Sequence, residues 1–395
     1  MRIRRTGGAP GVRRAERGTA LVFALSGAVQ ASWLARLPAV RDRLHLGLAA
    51  LGLALLATGA GSLLAMLGAG WLCRRTGSRR VAWVATALAC AALVALGFAA
   101  SGPWLAVVLF GFGLATGAWD TAMNVQGVAV EKVSGRHRMP AFHGWWSAGT
   151  LAGAGGGVLA ARLHAPLSAH FLVAGLVAAP LCALGAAGFV DERPLPPAEP
   201  DEVAGGAGRT VRHLLVLIAV VTLCGATVEG AANDWLALYL RDVRAASHAH
   251  AAFGYTLFVL AMAAGRFAAV GAHDRIGRAG TARAGALVAT AGIVIVVAVP
   301  VPVAPYVGAV LWGLGICTVF PAALSATGQV SGSHAVAAIT TVGYSASLIA
   351  PPLIGTLAQR VGLGPALLVL PALAAVVVIL APVLGRGPAR VPAPG

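Results

Sequence analysis

The chain has 395 residues, of which 58% are hydrophobic and 11% are charged, and its formal net charge is +16. Soluble globular proteins carry about 25% charged residues, so this composition excludes a soluble globular protein and indicates a membrane protein. In a soluble chain the positive charge would suggest nucleic acid as a partner. Here the arginines lie in short segments between apolar runs, which is typical of membrane topology and predicts no nucleic-acid partner.

Twelve apolar segments are long enough to cross a bilayer. Backbone polar groups in lipid must be paired internally, so each segment is predicted to be a helix. The predicted spans are 19–38, 49–71, 81–100, 103–127, 142–162, 167–190, 213–238, 251–272, 281–300, 303–327, 334–358 and 365–385. The sequence therefore predicts an all-α membrane protein with twelve transmembrane helices.

One hydrophilic segment divides these helices into two sets of six. Residues 191–212 are rich in proline, glycine and acidic side chains, which is typical of a flexible linker. The predicted order is a tail, a six-helix bundle, the linker, a second six-helix bundle and a second tail, at 1–18, 19–190, 191–212, 213–385 and 386–395.

The two predicted bundles repeat one another at an offset near 200 residues. LFGFGLAT at 109–116 matches LWGLGICT at 311–318, and RRTG at 74–77 matches DRIG at 274–277. Matches in the same order at nearly the same offset indicate an internal duplication. Two pseudo-symmetric six-helix bundles, related by an axis along the membrane normal, are the architecture of a large class of transporters.

The arginines also predict the orientation of the chain. Loops on the side of the N-terminus carry about three times as many Lys and Arg residues as loops on the opposite side. Cytoplasmic loops are the ones enriched in these residues, so both termini are predicted to be cytoplasmic. We expect a monomer in the lipid bilayer of a bacterial cytoplasmic (inner) membrane.

The sequence lacks motifs for catalysis. The five cysteines are scattered without a CxxC pair, which argues against a disulfide framework or a zinc site. It contains no phosphate-binding loop, metal-ligand cluster or nucleophile arrangement. We therefore expect neither an enzyme nor a bound cofactor.

A polar stripe runs along the fourth predicted helix, in GFGLATGAWDTAMNVQGVAVE at 111–131. Its members recur every three or four residues, so they share one helix face. They are Gly113, Gly117, Asp120, Asn124, Gly127 and Glu131. A carboxylate is costly inside a membrane and should face a protein interior or a watery cavity. This pattern predicts a helix that lines a solute path.

The loop after the second predicted helix resembles a signature of the major facilitator superfamily. In GWLCRRTGSRRV at 70–81, Arg75 and Gly77 match the signature, whereas Arg74 stands where the family has Asp. The second copy, HDRIGR at 273–278, keeps Asp274 and Arg275. In this family the loop latches conformations through ion pairs, so the resemblance implies a latch at the second copy, whereas Arg74 departs from the pattern on which a latch at the first copy would depend.

A finer resemblance, to the YbjJ-like inner-membrane group that is distantly similar to fucose permeases, rests on five segments. They are WLARLPAVRDRL at 33–44, WDTAMNVQGVAVE at 119–131, FHGWWSAGTLAG at 142–153, EGAANDWLALYLRD at 229–242 and VGYSASLIAPPLIG at 342–355. The resemblance implies that helices 1, 4, 7 and 10 line a central cavity, but it implies no particular substrate.

The polar residues on these helices are the candidates for substrate binding or proton coupling. They are Gln30, Trp119, Asp120, Asn124, Glu229 and Asn233. Burial penalises the charged form of a carboxyl group, so an acid here is able to exchange protons near neutral pH. The alternative is a structural hydrogen bond to a neighbouring helix. Trp119 adjoins Asp120, and its ring could stack on a sugar or hold an organic cation.

Four further charged residues are candidates for gating. Arg36 could pair with Asp234 or Glu229 as an outer gate, or it could extend to the lipid headgroups. Glu131, beside Lys132, is expected to form an ion pair in a loop latch. Arg266 is expected to form a structural ion pair near the loop that contains Asp274.

These features predict a secondary transporter that works by alternating access. Its candidate cavity residues are mainly acids and amides, which favours a neutral polar, sugar-like solute or a cation. Proton symport is the preferred mechanism, and proton-driven efflux of hydrophobic or cationic compounds is the alternative. A non-transporting sensor on the same fold remains a third hypothesis, although the chain has only short segments outside its predicted helices.

Overall fold

The structure is a computed structural model that describes residues 10–136, 138–193, 209–331 and 333–385. The second tail, the first nine residues of the first tail, and residues 194–208 of the linker lie outside the described residues. Residues 10–18, predicted to be tail, form the beginning of the first helix.

The N-terminal half consists of six long helices and one short one. They are α1 (Pro10–Leu34), the short α2 (Leu37–Leu44), α3 (Leu48–Thr76), α4 (Ser78–Leu96), α5 (Gly102–Ser134), α6 (Met139–Arg162) and α7 (Leu167–Ala186). The polar stripe lies on α5.

The C-terminal half repeats this order with more interruptions. Its helices are α8 (Arg209–Ala231), a π-helical turn (Ala232–Leu236), α9 (Ala237–Asp242), α10 (His248–Ala298), α11 (Ala304–Ile316), α12 (Val319–Val330), α13 (Ser333–Val361), α14 (Leu363–Leu367), α15 (Val369–Leu380) and a 3₁₀ turn (Ala381–Gly385). Gly277 kinks α10 and separates it into two spans.

All twelve predicted spans are helical, as the sequence predicted. Within the described ranges, ten helical segments are long and apolar enough to cross a membrane. The α6 helix and the part of α10 before Gly277 complete the twelve. The tenth predicted span is divided into α11 and α12, because Pro321 has no N–H to donate to the carbonyl of Cys317.

The internal duplication is visible in the backbone. Gly77 and Gly277 both have a positive φ, of 88° and 68°, at the turns between α3 and α4 and within α10. Only glycine adopts this conformation readily, so each copy of the repeat needs glycine at this point. The 200-residue offset found in the sequence therefore relates equivalent turns.

Two arginines cap equivalent helix ends in the two halves. Arg43 donates to the carbonyl oxygens of residues 96, 97 and 99 at the end of α4. Arg244 donates to those of residues 296, 297 and 299 at the end of α10. The last carbonyls of a helix have no partner within it, and a cation there also interacts favourably with the helix dipole.

The two halves pack closely along α3 and α13. A Cβ atom on Gly52 would lie 2.4 Å from the carbonyl oxygen of Pro351, and one on Gly355 would lie 2.6 Å from that of Leu48. Nearer the other end of α3, Gly68 faces open space and the Leu67 side chain is 82% exposed. The close approach therefore lies at the end of the bundles where α3 begins.

Candidate functional site

Five polar residues on α5, at the end of α8 and in the π-helical turn remain partly accessible. They are Asp120, Asn124, Glu229, Asn233 and Asp234, and all are half-buried. The neighbouring Trp119 and Trp235 are fully buried. Carboxylates at this depth cannot face lipid at low cost, so their exposed surface indicates a water-accessible space between the helices.

Tyrosines on two other helices lie near these acids. Tyr344 on α13 lies within electrostatic range of both Asp120 and Glu229. Tyr255 on α10 lies within range of both Glu229 and Asp234. The acids of the two halves therefore converge on one region, which we call the central cavity. The sequence alone does not single out Tyr344, because one tyrosine in an apolar helix forms no recognisable pattern.

An ion pair lies within the central cavity. The Nη2 atom of Arg266 on α10 is 3.3 Å from the Oε1 atom of Glu229 on α8. The sequence interpretation placed the partner of Arg266 near the loop of Asp274, but the structure places it in the cavity. The long arginine side chain makes this reach between helices possible, and sequence position does not reveal it.

The π-helical turn carries the third acid of the cavity. Asn233 and Asp234 lie within Ala232–Leu236, where the backbone takes one extra residue per turn. This wider turn changes the direction of the side chains that follow Glu229. Asn233 is therefore not in the simple one-turn relation to Glu229 that regular helical spacing predicts.

The polar stripe on α5 has two different roles. A Cβ atom on Gly113 would lie 2.0 Å from the carbonyl oxygen of Thr58, and one on Gly117 would lie 2.6 Å from that of Ser62. These glycines thus permit close packing of α5 against α3 rather than lining a path. Asn124 donates to the backbone carbonyl of Asp120 at 2.8 Å.

Two other candidates have mainly structural contacts. Trp119 is 0% exposed within the hydrophobic core, so its ring does not contact a solute in this conformation. Gln30 is half-buried and donates to the hydroxyl of Ser26 at 3.4 Å. Of the six predicted binding residues, the structure places Trp119 away from the cavity.

Arg36 does not form the predicted ion pair with Asp234 or Glu229. Its Nη2 atom donates to the carbonyl oxygen of Ala165 at 2.9 Å, and its side chain is buried. Its Nε and Nη1 atoms have no hydrogen-bond partner among the described residues. Arg36 thus links the turn between α1 and α2 to the segment after α6, within the N-terminal half.

Charged residues near Arg36 join the two halves instead. Arg41 forms a salt bridge with Asp242, and Arg241 forms one with Asp42 at 3.2 Å. The His248 Nε2 atom also lies 3.5 Å from the Asp42 carboxylate. These contacts connect α2 with α9 and the start of α10, at the same end as the close packing of α3 and α13. We call this group the reciprocal gate.

The first latch loop has lost the family's acid but has other contacts. Arg75 lies over the ring of Trp71, with 4.5 Å from the guanidinium carbon to the ring centroid. The Glu192 carboxylate accepts a hydrogen bond of 2.5 Å from the backbone N–H of Ser78, next to Gly77. Glu192 therefore caps the start of α4, a role that its place in the predicted linker did not suggest.

In the second latch loop, the described contact is made by Arg278. It donates to the hydroxyl of Ser325 at 3.1 Å and also to Gln329 on α12. Arg275 is exposed. The side chain of Asp274 lies outside the described part of the structure, so its predicted latch role remains a prediction.

Glu131 anchors the loop between α5 and α6. Its Oε1 atom accepts backbone hydrogen bonds from Arg138 and Met139, at 2.5 and 2.8 Å. The carboxylate thus caps the first turn of α6. Glu131 therefore holds the loop through backbone hydrogen bonds. The ion pair in a loop latch, which the sequence analysis expected for Glu131, stays a prediction.

Comparison with known proteins agrees with this architecture. The model of the Major Facilitator Superfamily matches residues 19–351. The chain belongs to this superfamily. It is therefore a multi-pass membrane transporter, and its family carries out secondary transport of small solutes.

Two bacterial relatives are similar in sequence to this chain along most of their length, and a solved structure shares its fold. An uncharacterized transporter of Sinorhizobium fredii is 34% identical over 93% of this chain and 97% of its own. An uncharacterized MFS-type transporter of Yersinia pestis is 33% identical over 89% of this chain and 90% of its own. A bacterial homolog of the human lysosomal transporter Spinster, in an inward-facing and unoccupied conformation, shares the fold with a TM-score of 0.76 and 12% identity, over 97% of this chain and 100% of its own.

Proposed function

We propose that this protein is a proton-coupled symporter that imports a neutral polar, sugar-like solute or a cation. The observation that carries this proposal is the ion pair of Arg266 with Glu229 in a cavity that also contains Asp120 and Asp234. Neither of these two acids takes part in a salt bridge within the described residues.

The charges of the cavity favour its solute class. Arg266 compensates one of the three acids, so the cavity is negative whenever Asp120 and Asp234 are both ionised. Such a cavity attracts cations and protons and repels phosphorylated or anionic solutes. Asn124, Asn233 and Tyr344 supply donors and acceptors that suit the hydroxyl groups of a sugar.

The ion pair also supports coupling to protons. Arg266 stabilises the ionised form of Glu229, so a proton or a cationic solute that reaches Glu229 competes with the arginine. Asp120 lies on the opposite bundle, where no such competitor is bound within the described residues. Protonation of Asp120 would then change the net charge of the cavity, and release of Arg266 would leave the charge of Glu229 uncompensated at that point.

The contacts between the bundles close one end of the molecule, so in this conformation the cavity would open at the other end. The reciprocal gate and the glycine contacts of α3 with α13 close one end of the molecule. We propose that this end is extracytoplasmic and that both termini are cytoplasmic, as the arginine distribution predicts. The similarity to an inward-facing homolog is in line with a cavity that opens to the cytoplasm in this conformation.

Transport by purified protein in proteoliposomes tests this function. An imposed proton gradient should drive accumulation of the solute inside vesicles, and a dye enclosed with it should report acidification. A solute is first found by thermal-shift screening against sugars, polyols and amines. Solute movement opposite to the proton flow would instead support the efflux alternative. Binding without any solute movement would contradict both mechanisms.

A further inference from the structure

A cavity of about 530 Å³ lies at the proposed cytoplasmic end of the molecule, far from the central cavity. It is lined by the first turns of α1 and by the end of α7. It is open toward the surface of the bundle, so a ligand could enter it directly. The transport cycle described above does not use it.

Three arginines form the polar wall of this cavity. They are Arg13, Arg14 and Arg17, and all three are exposed. The acid in this stretch, Glu16, is already bound to Arg138, at 3.0 Å from Nε. Among the described residues, no carboxylate forms a salt bridge with the three arginines. Within the described ranges, the cavity is therefore a concentration of positive charge without a salt-bridged carboxylate.

The three arginines lie close together, within the first eight residues of the described part of α1. Arginine also matches the oxygens of a phosphate group with paired N–H donors.

The other lining of the cavity is apolar. Leu21 and Leu184 lie on its wall, and Leu184 is 69% exposed on the surface of the bundle. The floor is made by glycines, since a Cβ atom on Gly18 would lie 2.2 Å from the carbonyl oxygen of Gly185. A ligand that fits this lining has an anionic end and an apolar end.

We propose that this cavity, which we call the arginine pocket, binds the phosphate headgroup of an anionic phospholipid. The arginines would hold the phosphate, and Leu21 and Leu184 would contact the start of the acyl chains. Basic pockets between helices at the cytoplasmic face favour such lipids in this way. An anionic lipid would thereby join the first turns of the described part of α1 to the end of α7.

Native mass spectrometry and thermal stability of the purified full-length protein test the proposal. Phosphatidylglycerol should remain bound and raise the melting temperature, whereas phosphatidylcholine and inorganic phosphate should not. The variant with Arg13→Gln, Arg14→Gln and Arg17→Gln should bind phosphatidylglycerol at least about tenfold more weakly. Equal stabilisation by inorganic phosphate would overturn the lipid assignment.

A matched control variant separates this pocket from general electrostatics. Arg80→Gln, Arg136→Gln and Arg212→Gln remove the same charge from exposed positions at the same end of the bundles. This control should keep the affinity for phosphatidylglycerol within about twofold, and an equal loss in both variants would overturn the proposal. If the triple variant does not fold, Arg17→Gln alone should weaken phosphatidylglycerol binding. An unchanged affinity in that variant would overturn the proposal. These readouts do not depend on transport.

Discussion

Arg266 lies 3.3 Å from Glu229, so the central cavity contains one compensated acid beside Asp120 and Asp234. Removing one partner of a buried ion pair lowers protein stability more than removing both, because the remaining charge is then uncompensated. Glu229→Gln should therefore reduce transport at least about tenfold and lower the melting temperature. The Glu229→Gln, Arg266→Gln double variant should recover stability but not coupled transport.

A double-mutant cycle on transport and melting temperature measures this coupling. Both groups retain some contact with water, so the stability term should be smaller than the roughly 3–5 kcal/mol found for fully buried pairs. Additive effects of the two substitutions would contradict an interaction between Arg266 and Glu229 in the folded protein.

Asp120→Asn should abolish proton-driven uptake while leaving the protein folded, because an amide cannot take up the coupled proton. Exchange of labelled for unlabelled solute, which needs no net proton movement, should persist. The measurement is uptake across a pH series together with exchange. Asp191→Asn is the matched control, since hydrogen bonds from Arg193 lower the pKa of Asp191 to about 2 in an exposed loop. Proton-driven uptake by Asp120→Asn at the wild-type rate would exclude Asp120 from coupling.

The reciprocal gate should respond to charge reversal. Arg41→Asp should place an acid opposite Asp242, and the repulsion should favour opening at that end. The double variant Arg41→Asp, Asp242→Arg should restore the salt bridge and the closure. Partly exposed salt bridges contribute about 0.2–1 kcal/mol each, so a shift of a few fold in the populations is expected. Labelling of a cysteine introduced nearby measures the opening. Equal labelling of the three proteins would rule out a gating role for this pair.

Packing of α5 against α3 predicts a strong contrast between two nearby glycines. Gly113→Ala should destabilise the protein by about 1–3 kcal/mol, because its Cβ atom would lie 2.0 Å from the backbone oxygen of Thr58. Gly111→Ala should be neutral or slightly stabilising, since Gly111 has no neighbour within 4 Å in that direction. Thermal unfolding in detergent distinguishes them, and equal melting temperatures would disprove this packing.

The helical spans and the repeat could be predicted because they follow from apolar length and from an offset that the sequence repeats. The positive φ values of Gly77 and Gly277 confirm that this offset relates equivalent turns. The π-helical turn could not be predicted, because an extra backbone residue in a helical turn has no distinct composition. It alters the direction of the Asn233 and Asp234 side chains, which lie within the turn.

The candidate site was predicted only in part. Asp120 and Glu229 could be predicted, because an acid within an apolar segment is unusual and costly. The partner of Glu229 depended on the direction of a long side chain from another helix, which spacing does not encode. Trp119 was selected for its position next to Asp120, but adjacent helical residues point about 100° apart, and its ring enters the core.

The reciprocal gate is built from one dipeptide that occurs twice. Arg41 and Asp42 meet Asp242 and Arg241, so each copy presents a cation and an anion to the same two groups on the other copy. A contact of this kind is isologous, the form that two identical subunits make across a twofold axis. A six-helix half bearing a single Arg-Asp dipeptide would therefore be complementary to itself at this point. Two separate copies of such a half could form both salt bridges as a homodimer, without any linker between them.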